Sequence, residues 1–545
     1  MASDGEIGGG RELGDPLASL PSGFRDIVKF SLGLVEKGLT ETIDLASKLE
    51  SSRSLDDFEE KSKQFTDPAW KLNPYFAAIK YAYRSTKRLS ERIVADVGLG
   101  PNQRSQADLA LSVFFGALSP NNFLLTNPTA IRKAFETGGL SLLSGARNFI
   151  DDLLHNGGLP SQVDKRPFKL GMNLAATPSR VVFKNELIEL LQYLPQTEEV
   201  FATPLLASPP WINKYYIMDL APERSLIEWA VRAGHTTFAI SYRNPTSDMS
   251  NYSLFDYLQK GPVAAIEAVS EITGSSKVDL LALCLGGTLA TATAAYFEAI
   301  GDKRIGTLTL LNTLLDFSDP GLLGAFADQG GVARLEKMMA GVGYLDGRYM
   351  ARTFNLLRPS DMIFNYIGPN WLMGERPPAF DVLVWNGDYT RMPAKMHSEY
   401  LETCYLKNQF AKDEWSLGGI PIHPKKVQCD TYVLSAQNDH IVPWRSAYSA
   451  TRLLGGEVRF VVSNGGHIAG VVNPPSAKAW YLASNSLPPA ADHWMESAVK
   501  HQDSWWRDWA EWASKRSGPL TTPPSLGSKN HPILGDGPGE YVMEE

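Results

Sequence analysis

The stretch that decides the fold is Val278-Asp-Leu-Leu-Ala-Leu-Cys284-Leu-Gly286-Gly287-Thr-Leu-Ala. A run with strand character ends at a nucleophilic side chain. Two glycines follow, and a helical run begins at once. This is the strand–turn–helix context that a G-x-S-x-G type of nucleophile elbow demands. The glycine two places after the nucleophile lets two backbones pass closely. The sharp turn lifts the sulfur above the sheet, and the helix N-terminus behind it stabilises a thiolate and a developing oxyanion. The main-chain N–H of Leu285 is the expected first oxyanion donor. Ala282 stands where such an elbow usually has its first glycine. Taken alone, Cys284 could equally be an inert core cysteine, because free Cys is commonly buried.

Outward from the elbow, strand and helix signals alternate. Residues 203–207, 236–242, 278–283 and 306–311 read as strands, and 225–233, 263–272 and 286–299 as helices. Such alternation predicts a mostly parallel sheet covered on both faces, an α/β fold of the hydrolase type. It fails over about 316–425, a stretch rich in Gly, Met, Pro and aromatics, and strand signals resume at 431–434 and 458–462. A block inserted late in an alternating sheet predicts a cap or lid. Before the sheet, Phe24, Ile27, Val28, Phe30, Leu34, Val35 and Leu39 recur at threes and fours, predicting amphipathic helices. The expected organisation is therefore a disordered 1–20, a helical region over 21–175, a catalytic domain over 176–516 with its lid, and an extended tail over 517–545. Trp505, Trp509 and Trp512 share one helical face and predict a docked helix near that domain's end.

Two later features raise the standing of Cys284. Thr431-Tyr-Val-Leu-Ser-Ala-Gln-Asn-Asp439 is a strand followed by an acidic loop, and Arg459-Phe-Val-Val-Ser-Asn-Gly-Gly466-His467 is a strand followed by a Gly-Gly-His turn. Nucleophile, Asp and His thus follow in the chain order of the α/β-hydrolases. Each sits where a strand ends, the edge at which ligands bind in open α/β sheets. Cys284, Asp439 and His467 are the expected nucleophile, acid and base of a triad. His440 follows the acid directly, so its side chain should point away. Asp388, Asp319 and Asp248 are competing acids without the strand-end context.

Bulk properties narrow the classes. The net charge of −8 over 545 residues does not favour a nucleic-acid partner. Only Cys284, Cys404 and Cys429 occur, with no C-x-x-C spacing, which predicts a reducing, cytoplasmic setting rather than a disulfide framework. The N-terminus lacks the basic and apolar regions of a secretory signal. Leu280 to Phe297 is free of charge and marks the lower edge of a membrane span, but its glycines, threonines and flanking Asp279 and Glu298 fit a buried strand and helix better, so no transmembrane segment is expected. No phosphate loop and no cluster of metal ligands is visible, so neither a metal nor another cofactor is expected.

The motifs go further than a generic hydrolase. Phe65-Thr-Asp-Pro-Ala-Trp70, Ser119-Pro-Asn-Asn-Phe-Leu-Leu-Thr-Asn-Pro128, Val181-Val-Phe-Lys-Asn-Glu-Leu187, Pro209-Pro-Trp-Ile-Asn-Lys-Tyr-Tyr216, Leu314-Leu-Asp-Phe317, Trp385-Asn-Gly-Asp388, Asp439-His-Ile-Val-Pro-Trp444 and Gly466-His-Ile-Ala-Gly470 are long and unusual. On them the chain, from about Phe65 to Val542, closely resembles the single-subunit polyhydroxyalkanoate synthases. The resemblance implies that Cys284, Asp439 and His467 match that family's nucleophile, acid and base. It implies (R)-3-hydroxyacyl-coenzyme A as substrate, coenzyme A being part of that substrate, and a growing polyester chain as product. It also implies a cytoplasmic enzyme on polyester granules, contact with granule-associated proteins, and a homodimer. The Pro-Pro-Trp-Ile-Asn-Lys segment falls where the hydrolase fold supplies its second oxyanion donor. Trp211, Tyr242 and Thr246 depart from common family residues, as Ala282 does, and leave substrate preference and activity level open. So does the role of Asp439, which either orients His467 or helps deprotonate the incoming hydroxyl. A lipase- or thioesterase-like hydrolase and a weakly active granule-associated paralogue are the alternatives on the same fold.

Overall fold

The computed structural model describes residues 63–545, so the expected disordered segment 1–20 and the helical spacing over 24–39 lie outside the described residues. Two compact units emerge. One comprises residues up to Ser161 together with Arg358–Arg376, and the other comprises Gln162–Leu357 and Pro377–Glu545.

The first unit is helical, with Pro74–Asp96, Pro101–Ala117, Pro128–Glu136 and Leu140–His155 as its main elements. Local chemistry sets two of the starts. Asn73 and Asn127 accept the N–H of Tyr75 and Ala130, and a proline occupies the first turn of each helix. Arg358–Arg376 joins this unit because Gly145 on the last helix leaves room for the Trp371 carbonyl, while the Trp371 indole donates to Asp152 at 2.8 Å. The boundary expected near 175 thus falls at Ser161, and part of the expected lid over 316–425 packs with the helical unit. No local sequence signal carries such a long-range contact.

The second unit is built on one sheet of eleven strands. We number them β1 (Ser179–Lys184), β2 (Ile188–Tyr193), β3 (Leu205–Ser208), β4 (Thr237–Tyr242), β5 (Val278–Leu283), β6 (Ile305–Leu311), β7 (Thr431–Ala436), β8 (Val458–Ser463), β9 (Tyr481–Ala483), β10 (Val499–His501) and β11 (Gly535–Asp536). Their order is β10-β9-β8-β7-β6-β5-β3-β4-β2-β1-β11. The strands from β4 through β8 pair in parallel, and both edges are antiparallel. Every residue of β5 is buried, with Leu280 and Ala282 in the core on one face and Leu281 and Leu283 in the core on the other. Burial on both faces is why these strands read as unbroken apolar runs.

The charge-free stretch from Leu280 to Phe297 is this strand running into the helix Leu285–Ile300, whose residues from Leu285 to Phe297 are all buried. Among the described residues no helix is long and apolar enough to cross a membrane. The tryptophan helix Trp505–Ser514 docks as expected, with all four indoles buried. Its Trp505 and Trp506 rings donate to the carbonyls of Gly470 and Val471 at 2.9 and 2.8 Å, which ties the helix to the turn that carries His467.

Gly286 has no room for a side chain. A Cβ there would run into the carbonyl oxygens of Ser208 and Pro209, which are main chain and cannot swing aside. Gly286→Ala is expected to destabilise this unit by about 1–3 kcal/mol through overpacking, measured as the shift of its urea unfolding midpoint. An unshifted midpoint would mean that the two backbones are not in contact.

Candidate active site

Cys284 is the N-cap of the helix Leu285–Ile300 and takes φ 53° and ψ −119°. A side-chain-bearing residue enters this left-handed region only when its surroundings hold it there. Three contacts do so. The Cys284 N–H donates to the Leu311 carbonyl at the end of β6 at 2.8 Å, and its own carbonyl accepts the Gly287 N–H at 2.9 Å. The Thr313 hydroxyl also donates to that carbonyl, at 3.3 Å. Gly287 is bare because a Cβ would meet the Thr313 side chain. The thiol is half-buried and packs against the cores on both faces of the sheet. Leu285, first residue of the helix, has one of the main-chain N–H groups that a helix leaves without an internal partner.

Asp439 and His467 come together from the loops after β7 and β8. The Asp439 Oδ2 lies 2.7 Å from His467 Nδ1, and both side chains are buried. The second carboxylate oxygen accepts the main-chain N–H groups of Ile441 and Val442 at 2.8 and 2.9 Å. Both oxygens are thus engaged, one by the imidazole and one by the backbone. The Cys284 sulfur lies close enough to act electrostatically on the His467 side chain. Burial pushes the imidazole toward its neutral form, but the Asp439 carboxylate and then the Cys284 sulfur outweigh it and carry the pKa up to about 10. The structure therefore brings the three expected residues together, with Asp439 hydrogen-bonded to His467 and the Cys284 sulfur within electrostatic reach of the imidazole.

The competing residues go elsewhere. Asp388 pairs with Lys214 at 3.1 Å and accepts the Tyr216 hydroxyl at 3.0 Å. Asp319 accepts the N–H of Gly321 at 3.3 Å, and Asp248 bonds the Thr246 hydroxyl. His440, partly exposed, is not the imidazole against Asp439.

Several residues around the thiol had no signal in the sequence. Asn312, just past β6, donates to the His467 carbonyl and so ties the elbow side of the sheet to the histidine turn. From the insert, the helix Ala394–Tyr400 and the turn Leu401–Leu406 bring Tyr400 and Tyr405 within electrostatic reach of the Cys284 sulfur. The two rings pack edge-on at 5.6 Å, and Phe317 packs on Tyr405 at 5.0 Å between ring centres. Trp211 is buried against Tyr400 and Tyr257 at 5.6 and 6.0 Å. Tyr242 stacks on the same Tyr257 ring at 5.8 Å. The insert thus supplies aromatic walls to a half-buried thiol. Pro209 and Pro210 have no N–H, so Trp211 and Ile212 offer the first main-chain donors after β3, and neither donor is taken by an acceptor among the described residues.

Residues 61–230 match the family described as poly-beta-hydroxybutyrate polymerase N-terminus, and residues 208–474 match the alpha/beta hydrolase fold. Poly(3-hydroxyalkanoate) polymerase 1 of Ectopseudomonas oleovorans is 38% identical over 488 residues, covering 89% of this chain and 87% of that one. The polymerase subunit of Cupriavidus necator is 40% identical over 492 residues, covering 88% and 82%. The polymerase of Methylorubrum extorquens is 40% identical over 486 residues, covering 88% and 80%. Kinship of this extent, on an α/β-hydrolase sheet with a cysteine at its elbow, places the chain in the poly(3-hydroxyalkanoate) polymerase family of enzymes.

Proposed function

We propose that this enzyme polymerises (R)-3-hydroxyacyl-coenzyme A into polyester through a covalent acyl-Cys284, with His467 moving the protons and Asp439 orienting the imidazole. What carries the reading is the buried Asp439–His467 hydrogen bond with the elbow sulfur within electrostatic reach of the same imidazole. The sulfur attacks the thioester carbonyl, and the developing oxyanion is met by the Leu285 N–H and by a second donor from Trp211–Ile212. When the carbonyl reforms, the bond to the coenzyme A sulfur breaks, and that sulfur leaves with the proton held on His467. A thioester has been exchanged for a thioester, so the acyl group stays activated.

The second half needs the opposite action. The 3-hydroxyl of another acyl unit attacks the acyl-cysteine, His467 accepts its proton, and the carbon–sulfur bond breaks to release an ester. The sulfur is thereby released beside the protonated His467, which restores the starting state. Acylation itself prepares this step. A thioester sulfur carries no negative charge, so one of the two pulls that hold the proton on His467 disappears. We assign Asp439 as the orienting carboxylate, since its buried side chain is already held by the imidazole and by two main-chain N–H groups. Every proton and electron pair in this scheme is carried by Cys284, His467 and substrate, with no cofactor. Water would divert the acyl-enzyme, and the aromatic walls from Trp211, Tyr400 and Tyr405 are the barrier we assign against it. The granule surface, granule-associated proteins and a homodimer belong to the same proposal, on the strength of kinship.

Two outcomes are expected. Given 3-hydroxybutyryl-coenzyme A, the protein should release thiol and yield oligomers by mass spectrometry, while Cys284→Ala should lower the rate by more than about 10³-fold. Monomeric acid without oligomer would instead assign a hydrolase, and no thiol release at all would leave only a non-catalytic paralogue. The second outcome concerns pH. Because His467 is raised in the folded protein, the stability it lends is complete below about pH 6.5, the ordinary histidine value, and is lost as pH rises through about 10. Asp439→Asn should therefore be about 3–5 kcal/mol less stable near neutrality, with the gap closing toward pH 10 in urea titrations. A gap that widens with pH would mean that the imidazole is not charged in the resting protein.

A further inference from the structure

From the buried Lys214 ammonium and what surrounds it, we infer that Lys214 is a positioning residue, which uses the segment Tyr541–Glu544 as a brace to hold the second oxyanion donor in place. This deepens the reading above and rests on Trp211–Ile212 supplying that donor.

The loop after β3 is Pro209-Pro-Trp-Ile-Asn-Lys214. It leaves the sheet alongside the elbow, where its Pro209 carbonyl occupies the space that a Cβ on Gly286 would need. Two prolines make the start of the loop stiff, but they also leave it without N–H groups to anchor it. The anchoring comes from farther on. Asn213 takes a left-handed φ of 62°, and its N–H donates to the Thr390 hydroxyl at 2.8 Å. That hydroxyl donates in turn to the Trp211 carbonyl at 3.2 Å. The Lys214 carbonyl accepts the Trp385 indole at 2.7 Å.

Lys214 itself is the unusual part. Its side chain is only 5% exposed, and a buried ammonium is costly unless its three protons are matched. They are matched by three oxygens. Two are the main-chain carbonyls of Val542 and Glu544 at 2.7 and 2.6 Å, and the third belongs to Asp388 at 3.1 Å. Two of the three partners are thus backbone atoms of a segment 328 and 330 residues away. That segment is pinned independently. The Tyr541 hydroxyl donates to the Asn185 carbonyl at 2.6 Å, the Tyr541 N–H donates to Glu189 at 2.9 Å, and the Glu544 carboxylate accepts the Asn244 N–H at 3.0 Å. Asn185 precedes β2 and Asn244 follows β4, so the brace is fastened to the sheet on one side and to the oxyanion loop on the other. An oxyanion donor acts only if it is already in place when charge develops, so a loop held at one end alone would lose rate before it lost binding.

The test compares Lys214→Met, deletion of residues 541–545, and the two combined, each beside the parent protein and each checked for folding by thermal unfolding. Two quantities are read: the kinetics of coenzyme A release from 3-hydroxybutyryl-coenzyme A, and the rate at which iodoacetamide alkylates Cys284. Alkylation needs the sulfur but develops no oxyanion. Either single change should lower kcat by about 10²-fold with KM within about threefold. Alkylation should stay within about twofold, and the combined variant should be no worse than the worse single one, because both remove one interaction. Should one single variant fail to fold, the other is read alone. Unchanged kcat in a folded variant, alkylation falling in step with kcat, or losses that multiply would each overturn the inference. A parent protein that releases no coenzyme A would instead overturn the catalytic reading on which it rests.

Discussion

A cysteine held at a φ of 53° is the constraint on which the rest of this active site depends. That conformation costs of order 1–3 kcal/mol for a residue with a side chain, so the surroundings must supply the difference. Here they supply it with hydrogen bonds at both ends of the residue and with two glycines that let neighbouring backbone and a threonine side chain close in. The strain has a consequence in space. It turns the sulfur out of the plane of the sheet at the edge where β5 stops, while the next residue already lies in a helix. A cysteine in ordinary strand geometry would point into one of the two cores instead, as buried and inert as Cys404.

Around that sulfur the charges are arranged so that each depends on the others. Asp439 is fully buried, which would be costly for a lone carboxylate, but two backbone N–H groups and an imidazolium satisfy it. His467 holds its proton because of Asp439 and of the sulfur, against the pull of burial. Its ring is kept in register from behind, since its carbonyl accepts from Asn312 and the turn that follows accepts two indoles from the tryptophan helix. The helix predicted simply to dock therefore also steadies the base. Removing either Asp439 or His467 would leave the other's buried charge exposed to its own desolvation penalty, so the pair behaves as a unit.

Much of this was legible in the sequence, and the physics says why. Strands buried on both faces write contiguous apolar runs, so β3 to β8 could be read to within two residues at each end, and the glycine two places after Cys284 could be read as a close passage. The antiparallel additions were not legible. The strands β9 and β10 have three residues each, and all of β10 is exposed, so neither carries a periodic pattern. The positions of Asp439 and His467 at strand ends were readable, but their distance was not. Asn312, Lys214, Tyr400 and Tyr405 were invisible for a different reason. Each acts through partners far away in sequence, and nothing local separates a lysine that will be buried against two distant carbonyls from one on the surface.

The departures from the family pattern fall into two kinds once their places in the fold are compared. Ala282 lies in the middle of the sheet, beside Ser208 in β3 and Leu310 in β6, and its methyl group joins the same core as Leu280. Its glycine counterpart in other elbows is thus not required by a close approach, unlike Gly286, whose missing Cβ is what lets the loop after β3 pass. Trp211 and Tyr242 are another matter. They pack on the same ring, Tyr257, one edge-on and one stacked, and Trp211 continues to Tyr400 beside the sulfur. Changes at the two positions therefore cannot act independently, because a larger ring at one and a different ring at the other share a single packing space. The two departures thus meet in one aromatic wall that runs through Tyr257 and on to Tyr400.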